Sequence, residues 1–171
     1  MTLSGGEPLA QADFAVEFLR ACGRAGLHRA LETSGFAPEA LFARVAEQTD
    51  LFLFDLKFWD AAAHKKWTGV DNSLILRNLK AAARSGKELR IRRPLISGIN
   101  DSEAELRALA ALAAELGCGV DLLPYHDYAE DKYRKRRKPY ALAGIKAPDK
   151  ARAGKCAEIL RGAGVDARIG G

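Results

Sequence analysis

Leu51-Phe-Leu-Phe-Asp-Leu56, followed by Lys57, decides how this chain is read. A continuous apolar run of this kind predicts a strand buried on both faces, as in a parallel sheet. Asp55 and Lys57 are odd residues to find at the end of such a strand. Outward from it, the chain alternates short apolar runs with longer helical patterns. Downstream, Asp71 to Ser85 reads as a helix that stops at Gly86, and Glu88 to Ile96 is β-rich with its end marked by Pro94. Ser102-Glu-Ala-Glu105 is a capping box before an Ala/Leu helix that stops at Gly117. Val120 to Leu123 is a further apolar strand ended by Pro124; a helix lies between Pro148 and Gly162, and Asp166 to Ile169 closes as a strand.

Upstream the same rhythm holds. Arg29 to Thr33 reads as a strand closed by Ser34-Gly35, and Pro38 opens a helix in the first-turn position that proline tolerates best. Before it, Ala12, Ala15, Val16, Leu19 and Cys22 recur at helical spacing, and that helix ends near Gly23 or Gly26, as helices commonly end at glycine. Met1 to Ser4 is a stub of strand running into Gly5-Gly6. The result is β-α repeated about five times, in units of roughly 30 residues. An open doubly wound sheet and a (β/α) barrel both fit this order. A closed eight-fold barrel typically needs about 250 residues, so with 171 residues a partial, open barrel is the barrel form that fits, as a single domain over residues 1–171.

Composition narrows the function classes. Of the residues, 48% are hydrophobic and 29% charged, with 27 Lys+Arg against 22 Asp+Glu, which is a globular composition with enough apolar mass for a core. No stretch approaches the roughly 18 apolar residues of a membrane span, and the N-terminus has neither the basic nor the apolar region of a secretory signal. Six basic residues fall between Lys132 and Lys138; outside that run 21 basic residues face 22 acidic ones. A wholly basic nucleic-acid-binding domain is therefore not indicated. The basic run is read as a solvated loop, with an acidic protein surface or a nucleic acid, helped by Tyr128, Tyr133 and Tyr140, as the functional alternatives. Cys22, Cys118 and Cys156 lie 96 and 38 residues apart, which is neither a disulfide framework nor a metal-ligand spacing, and a reduced, cytoplasmic compartment is the natural reading.

The informative residues gather at the strand ends, the ligand-binding edge of parallel α/β folds. Ser4-Gly-Gly-Glu-Pro8 follows the first strand and Glu32-Thr-Ser-Gly-Phe36 the second. Asp55-Leu-Lys57 closes the third, Arg90, Arg92 and Arg93 lie on the fourth, and Pro124-Tyr-His126 ends the fifth. Two glycines let the backbone approach a ligand closely, or serve as a plain turn. Glu7 can accept hydrogen bonds from a ligand ammonium. Asp55 with Lys57 also reads as a partly buried ion pair, Arg92 as a side chain snorkelling to solvent, and His126 as a structural histidine.

In this order and spacing, the residues resemble the glycyl-radical enzyme activating enzymes, of the pyruvate formate-lyase activase type, in the radical S-adenosylmethionine superfamily. The resemblance runs from Thr2 to about Gly171 and rests on Thr2-Leu-Ser-Gly-Gly-Glu-Pro-Leu9, Glu32-Thr-Ser-Gly35 and Asp55-Leu-Lys57. It continues through His64-Lys-Lys-Trp-Thr-Gly-Val70 with Asn72, Arg92 to Gly98 with Asn100, Leu123-Pro-Tyr-His126 and Lys132-Tyr133. It implies a partial, open β/α barrel of the radical S-adenosylmethionine type that lacks its first βα unit. By resemblance, Gly5, Gly6 and Glu7 hold the amino group of S-adenosylmethionine. Asp55, Leu56 and Lys57 lie near its carboxylate and ribose, and Arg92 and His126 contact the same cofactor. Glu32, Thr33 and Asp55 resemble a site for a monovalent cation, a hard ion suited to oxygen ligands. The family's chemistry is reductive cleavage of S-adenosylmethionine by a [4Fe–4S] cluster, giving a 5′-deoxyadenosyl radical that takes a hydrogen atom from a glycine of a partner enzyme. A flavodoxin- or ferredoxin-type protein is the implied electron donor.

One family motif has no counterpart. The family's cluster is held by a CxxxCxxC loop after the first strand, and this sequence has none. No catalytic residue is therefore assigned in the chain, and it is expected to bind no cluster by itself. Truncation, a split protein completed by another chain, and a degenerate partner-binding domain are the three accounts of that difference. An exposed first strand is expected to favour dimerisation or poor solubility.

Overall fold

The computed structural model describes residues 1–126, 142, 144, 145 and 147–170. The basic run and Tyr128, Tyr133 and Tyr140 lie outside the described residues. Six strands form one parallel sheet: β1 (Thr2–Leu3), β2 (Ala30–Thr33), β3 (Leu51–Asp55), β4 (Glu88–Leu95), β5 (Gly119–Pro124) and β6 (Ala167–Ile169). Their order across the sheet is their order in the chain. A doubly wound sheet reverses direction at a switch point; this one never does. With crossovers of one hand, a sheet that always steps the same way collects its helices on a single face. The architecture is therefore an open barrel, and the doubly wound alternative is excluded.

Among the described residues the helices are α1 (Ala12–Arg24), α2 (Glu39–Glu47), α3 (Ala61–Thr68), α4 (Ser73–Arg84), α5 (Glu103–Leu116) and α6 (Lys150–Gly162). One-sided cover corrects the reading of β3 as buried on both faces. Phe52 and Phe54 are fully buried against the helices, whereas Leu51, Leu53 and Asp55 are half-buried on the other, concave face. Phe42 of α2 packs on both phenylalanines, with ring centroids 5.9 and 6.2 Å away. The same alternation sends Leu89, Ile91, Arg93 and Leu95 of β4 toward the helices and Arg90 and Arg92 to the concave face.

Several boundaries differ from the sequence reading, each for a local reason. Pro94 lies inside β4 and pairs with Leu123. It is tolerated because the β3 ladder has already ended at Asp55–Arg92, so its missing N–H interrupts no bond on that side. Pro38 is the residue before α2 and not in its first turn. A 3-10 turn, Pro8–Gln11, precedes α1. The helix read from Asp71 to Ser85 is two residues shorter at its start, since Asp71 turns back to accept from the Ser73 backbone N–H at 2.8 Å. Helix α3 is missing from the sequence reading because it shows little amphipathic pattern: His64 is its one buried residue. Its ends were nonetheless written in the chain, as the N-cap Asp60, which accepts from the Ala63 N–H at 2.7 Å, and the left-handed Gly69 at its C-terminus.

Candidate functional site

The C-terminal ends of β1, β2 and β3 surround a cleft of about 400 Å³ lined by Gly5, Gly6, Glu7, Glu32, Thr33, Asp55 and Lys57, together with Ser4 and Ser34. Residues far apart in the chain meet there because the ladder register aligns them. Glu32 is one residue short of the end of β2, and Asp55 ends β3 opposite Arg92 of β4. Arg92 reaches across β3 to Glu32 at 2.6 Å, and Ser4 donates to the other oxygen of Glu32 at 2.9 Å. Arg92 is thus half-buried and paired on the concave face, and does not snorkel to solvent.

Gly5 and Gly6 take left-handed φ angles of +87° and +58°, and nothing lies within 4 Å of where a side chain would begin at either. Their backbone therefore faces open space at the mouth of the cleft, in a conformation that other residues resist. Glu7 holds this loop in place. Its carboxylate accepts from the Leu9 N–H (3.1 Å), the Thr33 hydroxyl (2.6 Å), the Ser34 N–H (3.0 Å) and the Ser34 hydroxyl (2.6 Å). Four accepted bonds use the capacity of a carboxylate, so in this structure Glu7 ties the loop to the end of β2. Thr33 is buried and completes the turn by accepting from the Gly35 N–H at 3.0 Å.

Asp55 and Lys57 stand 3.5 Å apart, an ion pair at the long limit of a hydrogen bond. Burial holds the Asp55 carboxyl above its ordinary range, against the opposing pull of Lys57 and Arg92. Leu56 between them is fully buried, with its side chain on the helix side, and its N–H donates to the Arg92 carbonyl at 3.0 Å. His126 is exposed beyond the end of β5, two strands from β3 and outside the lining of the cleft.

Behind the cleft is a polar network that the sequence reading did not assign. Asn72 donates to the carbonyls of Phe58 (3.1 Å) and Trp59 (2.6 Å). Asn100 donates to those of Lys57 (3.1 Å) and Pro94 (2.6 Å). Arg93, with no exposed side-chain surface, donates to the Lys57 carbonyl and pairs with Glu105 at 3.0 Å. Glu105 also accepts from the Trp59 N–H. The expected capping box of α5 is thus half made: Ser102 accepts from the Glu105 N–H, while the Glu105 carboxylate is turned to Trp59 and Arg93. His64 packs edge-on to Phe58 and bonds to the Val70 carbonyl at 2.7 Å. In the sequence Asn72 and Asn100 stand out only as parts of motifs. Their signal was an amide beside a turn, which many surface loops share.

The residues present fit S-adenosylmethionine on two observations. Gly5 and Gly6 hold left-handed φ angles with nothing within 4 Å of either Cβ position, so a ligand can approach their backbone closely. Arg92, paired with the cleft-lining Glu32, has a buried Nε with no hydrogen-bond partner among the described residues, a donor suited to a carboxylate. The cysteines are dispersed: Cys22 is buried in α1, Cys156 is buried in α6, and Cys118 precedes β5 at the opposite edge of the sheet. Among the described residues no three His, Cys, Asp or Glu side chains converge as a metal site, and no helix is long and apolar enough to cross a membrane.

Comparison with known proteins agrees with the open-barrel fold. Residues 1–110 match the model of the radical SAM superfamily. The chain is 40% identical over 149 residues to the choline trimethylamine-lyase activating enzyme of Oleidesulfovibrio alaskensis, covering 84% of this chain and 48% of that one. It is 36% identical over 175 residues to the trans-4-hydroxy-L-proline dehydratase activating enzyme of Clostridioides difficile, covering 100% and 58%. The chain thus spans about half the length of the curated relatives it matches. A crystal structure of a domain of pyruvate-formate lyase-activating enzyme from Bacteroides vulgatus superposes with a TM-score of 0.82 at 33% identity, covering 100% of this chain and 98% of that one. The chain belongs to the radical SAM superfamily, and its relatives are activating enzymes of glycyl-radical enzymes.

Proposed function

We propose that the cleft binds S-adenosylmethionine and that the chain carries the cofactor-binding part of a glycyl-radical enzyme activase. The observation that carries this reading is the open Gly5-Gly6 backbone facing Asp55 and Lys57 across one cleft. The Gly5-Gly6 backbone would hold the amino group, held in place itself by Glu7. Lys57 and Arg92 would receive the carboxylate, with Arg92 using the Nε that has no partner among the described residues. Asp55 and the Leu56 backbone would flank the ribose, and His126 would close over the ligand from the end of β5. Glu32, Thr33 and Asp55 would offer oxygens to a monovalent cation beside the carboxylate.

With a [4Fe–4S] cluster and S-adenosylmethionine bound, the chemistry supplied is reductive cleavage of the cofactor and removal of a hydrogen atom from a glycine of the partner. The protein's part is to orient and shield. The partner is a glycyl-radical enzyme, and a flavodoxin- or ferredoxin-type protein is the electron donor. The 171-residue chain does not assemble the cluster by itself, because its thiols do not converge and burial pushes the Cys118 thiol up to about 11.

Calorimetric titration with S-adenosylmethionine tests the binding. Asp55→Asn and Arg92→Met should each weaken affinity about tenfold or more, the worth of one charged hydrogen bond, without a change in the folded far-UV spectrum. Unchanged affinity in both would overturn the assignment. Iron and sulfide assay after anaerobic reconstitution tests the second statement, and one cluster per chain would sink it.

A further inference from the structure

Arg93 is the largest fully buried side chain in the molecule's described part. An apolar residue would fill that place at less cost, since a buried ion pair is often matched or bettered in stability by a well-packed hydrophobic pair. What an apolar pair could not do is hold backbone polar groups. Arg93 donates to the Lys57 carbonyl, and its partner Glu105 accepts from the Trp59 N–H. One ion pair therefore joins β4, the first turn of α5 and the segment after β3. That segment lies between the end of β3 at Asp55 and the start of α3 at Ala61, and Leu56 makes its last ladder-like bond, to Arg92. Beyond Leu56 the backbone is held by side chains: Arg93 and Asn100 on Lys57, Asn72 on Phe58 and Trp59, Glu105 on Trp59. Glu105 makes this contact instead of closing its own capping box.

We propose that Arg93, through its ion pair with Glu105, is a positioning residue that sets the backbone of Lys57 and thereby the placement of Asp55 and Lys57 toward the ligand of the cleft. The proposal rests on the cleft being the S-adenosylmethionine site. The Arg93 side chain does not itself line the cleft: strand alternation sends it to the helix face and that of Arg92 to the concave face. Its effect on ligand affinity is therefore carried by the main chain of the segment after β3, at Lys57 directly and at Trp59 through Glu105. Small displacements of such groups matter, since a shift of about 1 Å can cost on the order of a hundredfold in a reaction.

The test uses the full 171-residue chain and two readouts besides activity: amide hydrogen exchange over residues 56–59 and calorimetric affinity for S-adenosylmethionine. In R93M/E105Q no charge is left unpaired, and the Gln carbonyl still accepts from Trp59. This variant should melt cooperatively near the parent temperature, exchange faster at residues 56–59 by about tenfold, and bind S-adenosylmethionine about tenfold more weakly. R93K, which keeps the charge but not the forked geometry, should recover part of both. If R93M/E105Q does not fold, R93K carries the same two readouts and should fall between parent and non-binder. Unchanged exchange in a folded variant overturns the proposal, as does faster exchange with unchanged affinity. A parent chain with no affinity for S-adenosylmethionine overturns the proposed function, and the exchange measurement then still decides whether the pair holds the segment.

Discussion

The two edges of the sheet use charge in opposite ways. At the N-terminal edge the charges close on one another. Arg29 forks onto Asp50 at 2.5 and 2.8 Å. Arg90 holds Asp121 and Asp166 together, with contacts of 2.7 Å to each. Lys87 donates to the carbonyls of Ala46 and Glu47 at the C-terminus of α2, where a cation suits the helix dipole. At the C-terminal edge the charges are incompletely matched. Arg92 has a buried Nε with no partner among the described residues, Asp55 and Lys57 meet at only 3.5 Å, and two glycines leave backbone open. One edge is finished by its own side chains; the other leaves polar groups for something else to complete. The same residue types, arginine and aspartate, serve stability at one end and reception at the other. What separates them is whether the strand register offers each a full set of partners.

The largest expected effect breaks the comparison at its N-terminal side. Arg90→Met removes one member of a pair whose side chains are 16% and 7% exposed. It should cost about 3–5 kcal/mol of stability, the usual loss when a buried partner is left unpaired, and leave affinity for S-adenosylmethionine unchanged in the folded fraction. Denaturant melts and calorimetry on one sample decide this; a loss of affinity with no loss of stability would erase the division between the edges.

A smaller effect is expected at the other edge. Gly6→Ala places a side chain at φ +58° in open space, so the conformational cost should be about 1–2 kcal/mol with no packing clash. Affinity for S-adenosylmethionine should fall as well, and a variant that binds as the parent does would remove the Gly-Gly backbone from the site.

The smallest effect is a pH dependence. The Arg29 guanidinium bonds hold the Asp50 carboxyl down from 3.8 to about 2. A depressed carboxyl contributes stability that is complete above its unfolded value and is lost as pH falls through its folded one. Between pH 3.8 and about 2, therefore, Asp50→Asn should lose less stability than the parent. Parallel acid-titration curves for the two proteins would contradict this.

Local signals made much of the fold legible. Alternating β and α patterns, glycine stops and the Ser102 cap all act through neighbouring residues, which is why they can be read from a line of sequence. Helix α3 escaped because it buries so little that no periodicity records it. The motif residues Gly5, Gly6, Glu32, Thr33, Asp55 and Lys57 were also legible, and they line one cleft. The distant partners of Glu7 and Glu105 were not, since Thr33 lies 26 positions from Glu7 and Trp59 lies 46 from Glu105, and nothing local specifies such a choice.

By itself, then, the sequence determined which segments are strands, which are helices apart from α3, and which polar residues end the strands. Tertiary structure alone decided the rest. Sequential strand order put the described helices on one face, which left the apolar run of β3 only half-buried on the other and opened a concave surface. Ladder register set Asp55 beside Arg92 and brought Glu32 within 2.6 Å of the same guanidinium. Strand alternation then turned Arg92 toward that surface and Arg93 into the core. Neighbouring arginines of identical chemistry received different roles because a strand offers successive side chains to opposite faces, and only the assembled sheet has two different faces to offer.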